Sequence, residues 1–215
     1  MHCYAPKVKI CGITSLEDAL AACEFGADAL GFNFAEEARR RGRYIDPDDA
    51  AAIVEQIPPF VVTVAVCVND STERMLEYLT FLDRVQMHGE ESVAQCEVLG
   101  PSAIKAFRVG PDFDLDVLGT YRSAGAILLD AYAPNARGGT GQVFDWDVAA
   151  KAVALGKPLI LAGGLTPENV AEAVQAVHPY AVDTAGGVES APGKKDHAKL
   201  RSFVQNAKKA LPVSG

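Results

Sequence analysis

Asp130 closes the apolar run at 126–129 and opens a polar loop in which Gly138, Gly139 and Gly141 precede Asp145-Trp146. Four apolar residues bounded by a turn signal fit a strand buried on both faces. The carboxylate then stands where the strand stops, the position at which parallel α/β folds gather ligands and catalysis. Cys11 holds the same place after the run at 8–10, His88 after the run at 84–87, and Asp183 at the end of the run at 181–183. Two glycine pairs, Gly163-Gly164 and Gly186-Gly187, follow the runs at 159–161 and 181–183 and precede helix-start signals. Glycine lets the backbone approach a ligand and expose its N–H donors. A phosphate seated at such helix starts is the chemistry these pairs suggest. The plain alternatives are a turn-capping Asp130, a packed Cys11 and glycines that relieve tight turns.

Eight short apolar runs supply these positions, at 8–10, 29–32, 61–68, 84–87, 103–109, 126–129, 159–161 and 181–183. Helical patterns separate them. Thr14-Ser-Leu-Glu17 has the form of a capping box, and Gly26 stops that helix. Asp46-Pro47 starts a second, which Pro58-Pro59 ends. Helices are further expected over 71–82, from about 90, around 114–123, over 145–155, from Thr166-Pro167, and over 195–211. Strict alternation of strand and helix argues a parallel sheet flanked by helices. Eight units closing on themselves make a single (β/α)8 TIM barrel of the phosphate-binding type, one domain over 1–215. An open doubly wound sheet is the alternative, but the GxGxxG of its first loop is absent.

Composition narrows the partners. The 215 residues carry a net charge of −8, which disfavours a nucleic-acid partner. The longest apolar run is far too short to span a bilayer, so no membrane is expected. Five cysteines in no metal-like pairing, and no signal-peptide pattern, point to a reducing, cytoplasmic setting. No His, Cys and carboxylate cluster has the spacing of a metal site.

The ordered motifs resemble the phosphoribosylanthranilate isomerase family of tryptophan biosynthesis. They are Lys9-Ile10-Cys11-Gly12-Ile13-Thr14, Gly31-Phe32-Asn33-Phe34, Arg43-Tyr44-Ile45 and Val85-Gln86-Met87-His88-Gly89. Leu129-Asp130, Gly138-Gly139-Thr140-Gly141 with Phe144-Asp145-Trp146, Ala162-Gly163-Gly164-Leu165 and Gly187-Val188-Glu189 follow in order. The resemblance implies an Amadori rearrangement of N-(5-phosphoribosyl)anthranilate to 1-(2-carboxyphenylamino)-1-deoxyribulose 5-phosphate. No cofactor is then required, because the substrate nitrogen serves as electron sink. The substrate is a small phosphosugar, and the protein a monomer or homodimer.

By matching position, Asp130 is the general acid and Cys11 the general base. Arg43 pairs with the anthranilate carboxylate, Asp183 accepts from substrate hydroxyls, and His88 lines the site. Gly163, Gly164, Gly186 and Gly187 hold the phosphate. The apolar run before Asp130 is expected to raise its pKa. The helix start at Thr14-Ser15 is expected to lower that of Cys11 if the thiol points towards it. Cys3, Cys23, Cys67 and Cys96 read as small hydrophobes or surface thiols. The loop before Arg43, AEEARRRG, lacks the family's Ser-Pro and is longer, which leaves Arg40 and Arg41 as alternatives. Thr184-Ala185-Gly186 replaces a serine-containing segment, so a hydroxyl contact to phosphate is lost. Two rivals stand beside this reading. One is a sugar isomerase that also takes a histidine-pathway substrate, which calls for a carboxylate where Cys11 stands. The other is a catalytically silent phosphosugar-binding barrel, which has no need of Cys11 and Asp130.

Overall fold

The structure, a computed structural model, describes residues 5–110, 112–131 and 146–210. Eight strands form a closed, all-parallel barrel: β1 (Lys7–Cys11), β2 (Ala29–Asn33), β3 (Val62–Cys67), β4 (Arg84–Met87), β5 (Ala103–Val109), β6 (Ala126–Ala131), β7 (Leu159–Ala162) and β8 (Ala181–Thr184). The ring closes where Lys9 of β1 lies opposite Asp183 of β8. Each strand lies within two residues of the apolar run that predicts it. Continuous apolar runs are what strands covered on both faces require.

Side chains alternate along each strand, and the alternation separates two cores. Inside the barrel sit Val64, Ile104, Ala106, Ala126, Leu128, Ile160, Ala162 and Ala181, with Ala29 against them. Outside, between strands and helices, a larger layer includes Ile10, Phe32, Met75, Leu129, Leu161 and Phe203. Lys9 and Cys11, Gln86 and His88, and Leu128 and Asp130 are each two apart. Each pair therefore shares the inward face.

Among the described residues seven α-helices cover the barrel: α1 (Leu16–Glu24), α2 (Pro47–Val54), α3 (Thr72–Tyr78), α4 (Val93–Leu99), α5 (Trp146–Val153), α6 (Val170–Val177) and α7 (His197–Lys209). The helix expected around 114–123 is only a 3₁₀ segment, Leu115–Thr120. Gly119 and Thr120 are poor helix formers, and the segment is too short to propagate an α-turn. Helix α1 is capped by Ser15, which accepts from Asp18 N, while the Thr14 hydroxyl instead donates to Gly193 O. Helix α6 starts three residues later than Thr166-Pro167 predicts. Asn169 accepts from Thr166 N at 2.8 Å and donates to Gly164 O at 3.0 Å, which folds 164–169 into a turn. Lys195 belongs to a short hairpin, β9 (Glu189–Ala191) with β10 (Lys194–Lys195), and α7 begins beyond it at its Asp196 cap. The glycine loop at 138–141, the helix start at Asp145, and Cys3 lie outside the described residues. Among the described residues no helix is long and apolar enough to cross a membrane.

Candidate active site

The C-terminal ends of β1 and β8 carry a dense ionic cluster. Lys9, 2% exposed, donates from Nζ to Asp183 Oδ1 at 2.8 Å. The same ammonium faces the Cys11 thiol. Lys195 reaches the cluster from the hairpin and donates to Cys11 O at 2.7 Å, to Ala185 O and to Glu189 Oε1 at 3.2 Å. Arg43 enters from the loop after β2 and grips Glu189 with two bonds, Nε to Oε1 at 2.9 Å and Nη2 to Oε2 at 2.8 Å. That fork geometry is the strong form of a carboxylate contact. It uses one edge of the guanidinium, and Nη1 donates to no group among the described residues.

The expected lowering of the Cys11 pKa is not what the structure gives. Burial pushes the thiol up, and the opposing influences are Lys9 and then Lys195. The reason is geometric. Cys11 faces the barrel axis, whereas α1 packs on the outside. The Lys9 ammonium is held above its ordinary value by Asp183 and Cys11 despite its burial. It therefore stays charged.

On the opposite side of the mouth, with β7 and β8 intervening, β6 presents Asp130. Its carboxylate is one-third exposed and lies 3.3 Å from His88 Nε2. The enclosed apolar setting expected for it is absent, because Leu129 points into the outer core and Leu128 into the barrel. Gln86, one inward position below His88, places its amide Nε2 3.0 Å from His88 Nδ1. With the amide nitrogen as donor, Nδ1 accepts, and a neutral ring in that arrangement carries its proton on Nε2. That N–H points at Asp130. Gln86 Oε1 is buried without a partner among the described residues.

The loop that carries His88 is clamped from outside. Lys105, on the outer face of β5, donates to Met87 O, Gly89 O and Glu91 Oε2. Glu91 in turn accepts from Asn69 N and Gly89 N. Both side chains of this ion pair are almost wholly buried.

After β7, Gly163 and Gly164 adopt positive φ of 90° and 66°, a backbone that favours glycine. After β8, Gly186–Val188 forms a single 3₁₀ turn. Thr184 ties the two loops by donating to Leu165 O at 2.8 Å. Its hydroxyl is thus consumed inside the protein. The amides of Gly163, Gly164, Gly186 and Gly187 donate to no loop or turn carbonyl among the described residues. Backbone amides grouped at one rim are the kind of donors that anions take.

All the residues singled out from sequence, Cys11, Arg43, His88, Asp130, Asp183 and the four glycines, stand on loops or strand ends at this face. Arg40 and Arg41 are exposed on a 3₁₀ segment, Glu36–Arg41, while Arg43 packs against Gly12. Sequence reasoning gave no role to Lys9, Gln86, Glu189 or Lys195. Spacing was the available signal: Lys9 and Gln86 each lie two residues before a reactive side chain on a strand. Among the described residues no His, Cys, Asp and Glu cluster is arranged to hold a metal ion.

An eight-stranded parallel barrel with titratable side chains at its strand ends, and glycine-borne amides after β7 and β8, defines a (β/α)8-barrel enzyme of the phosphate-binding type. Known proteins narrow that class. The profile of the N-(5'-phosphoribosyl)anthranilate (PRA) isomerase family matches residues 8–206, and the chain belongs to this family. A relative from Geobacter sulfurreducens named N-(5'-phosphoribosyl)anthranilate isomerase is 55% identical over 204 residues, covering 94% of this chain and 98% of that protein. The crystal structure of phosphoribosyl anthranilate isomerase from Thermotoga maritima superposes with a TM-score of 0.86 at 44% identity, covering 95% of this chain and 99% of that one. A further such isomerase was crystallised with reduced 1-(O-carboxyphenylamino)-1-deoxyribulose 5-phosphate. It matches with a TM-score of 0.83 at 41% identity, covering 95% of this chain and 99% of that one.

Proposed function

We infer that this chain catalyses the Amadori rearrangement of N-(5'-phosphoribosyl)anthranilate in tryptophan biosynthesis. Family membership across nearly the whole chain supports the reaction. The observation that carries the division of labour is the placement of Asp130 and Cys11 at separate points of one barrel mouth. The four glycine amides after β7 and β8 receive the phosphate, which extends the sugar across the mouth towards Arg43. The free edge of Arg43 takes the anthranilate carboxylate, and Glu189 holds the other edge in place.

Asp130 gives a proton to the furanose ring oxygen. The bond from that oxygen to C1 breaks, and the nitrogen lone pair forms the C1–N iminium. The His88 Nε2–H then stabilises the carboxylate left behind. The Cys11 thiolate takes the proton from C2 and becomes a thiol. The electron pair of that C–H bond forms the C1–C2 double bond and neutralises the iminium nitrogen. The resulting enolamine tautomerises to the ketone. Asp183, held by Lys9, accepts from sugar hydroxyls. The protein works as a single barrel domain, as a monomer or homodimer, in the cytoplasm, and without a cofactor.

The test follows loss of substrate fluorescence. Asp130→Asn retains binding and loses turnover. Cys11→Ser lowers kcat at least ~10²-fold with KM little changed, because a positioned base contributes ~10²–10⁴-fold. Near-parental kcat in either folded variant removes that residue from its role.

A further inference from the structure

We propose that Lys9 is the counter-ion of the Cys11 thiolate, and that the β1–β8 ionic cluster is built with one positive charge in surplus for that thiolate to balance. Three cations, Lys9, Lys195 and Arg43, surround Cys11. Two carboxylates, Asp183 and Glu189, face them. Four of these five side chains are at most 10% exposed, and Arg43 is 22% exposed. A buried cluster with unbalanced charge is costly unless another charge completes it. Lys9 and Lys195 both act on the Cys11 sulfur, and the sulfur acts on Arg43. Once its proton has left to solvent, the cluster is neutral.

Contact geometry supports the pairing. Lys9 and Cys11 point to the same face of β1, and Gly31 of β2 lies opposite Cys11. A Cβ at position 31 would sit 3.0 Å from Cys11 Sγ and 3.1 Å from Lys9 Nζ. Cβ contacts of 3.0–3.4 Å are tighter than nine in ten real ones, so the missing side chain is the space in which ammonium and sulfur meet. Asp183 holds the ammonium from the far side at 2.8 Å. The thiol nevertheless stands above its ordinary value through burial, with Lys9 the largest opposing influence. Lys9 therefore decides how much thiolate is present when substrate arrives. It acts through Cys11 and is a positioning residue.

The inference rests on Cys11 being the base, and the experiment keeps the two claims apart. Alkylation of Cys11 by iodoacetamide is followed by peptide mass analysis across the pH range in which the parent stays folded. The kcat–pH profile is measured alongside. Lys9→Met is expected to move the alkylation midpoint upward. It should slow the reaction at pH 7 by about tenfold or more, since each pKa unit is a tenfold change in thiolate below the midpoint. Asp183→Asn is expected to move the midpoint downward, because the carboxylate opposes the thiolate. Lys9→Met leaves Asp183 buried without its partner, so the substitution is repeated in the Asp183→Asn background, where no carboxylate is orphaned. There too the midpoint must rise relative to Asp183→Asn. Midpoints that coincide with and without Lys9 in that background overturn the proposal. A shift in alkylation with an unmoved kcat profile upholds the ion pair and refutes Cys11 as base.

Discussion

Gln86→Leu separates stability from activity at the His88–Asp130 side of the mouth. Gln86 is 1% exposed, makes one hydrogen bond to His88 at 3.0 Å, and leaves Oε1 without a partner among the described residues. Losing that bond costs about 1 kcal/mol, while removing a buried unsatisfied acceptor returns ~1–3 kcal/mol. Leucine has similar length and adds apolar burial against the barrel interior. The variant is therefore expected to be as stable as the parent or more stable by ~1 kcal/mol, a rise of ~2–4 °C in Tm for a chain of this size. Activity runs the other way. Without the amide donor, the His88 proton is free to move to Nδ1, and Nε2 then turns a lone pair towards Asp130. A hydrogen bond to a charged group is worth ~1.5–3 kcal/mol, so kcat should fall roughly 10- to 100-fold. Thermal melts and steady-state fluorescence on the same preparation read both quantities. A lowered Tm with intact kcat would refute the reasoning, since it would mean that the amide serves packing and not the imidazole.

Two further outcomes follow from other parts of the site. Gly164→Asp sets a carboxylate beside the amides that receive the phosphate and forces an L-residue into positive φ; KM should rise sharply, and an unchanged KM places the phosphate elsewhere. Lys105→Met orphans the buried Glu91 carboxylate and should cost ~3–5 kcal/mol, a Tm loss of roughly 6–20 °C. The double replacement Lys105→Met with Glu91→Leu should recover most of that loss in thermal melts.

Strand positions were legible because a strand covered on both faces must be apolar along its length, and only such runs occur at all eight places. The reactive strand ends were legible for the same reason: Cys11, His88, Asp130 and Asp183 interrupt or terminate those runs. What escaped was the role of residues inside them. Lys9 reads as a blemish in an apolar run until strand alternation is applied, which sets it on the face of Cys11. The same alternation joins Gln86 to His88. Helix starts were misplaced where a side chain near the start found another partner, distant in one case and local in the other. Thr14 is drawn to Gly193, and Asn169 ties up Thr166 and Gly164. The electrostatics of Cys11 could not follow from its neighbours in sequence, because Lys195 and Asp183 come from the other end of the chain.

That last fact bears on how the protein folds. The Lys9–Asp183 bond joins residues 174 apart, and the bond from Lys195 to Cys11 spans 184. Contacts of such long range demand loop closure before they return any energy, and they form late. A chain emerging from synthesis holds Lys9 and Cys11 on β1 long before β8 arrives to seal the ring. Until then β1 is an edge strand with an uncompensated ammonium on it, which discourages pairing with other chains. The charge that later serves the thiolate thus first protects an unfinished sheet. Turnover, in turn, reports ring closure more directly than helix content does: a refolding time course should show helical signal recovering before activity.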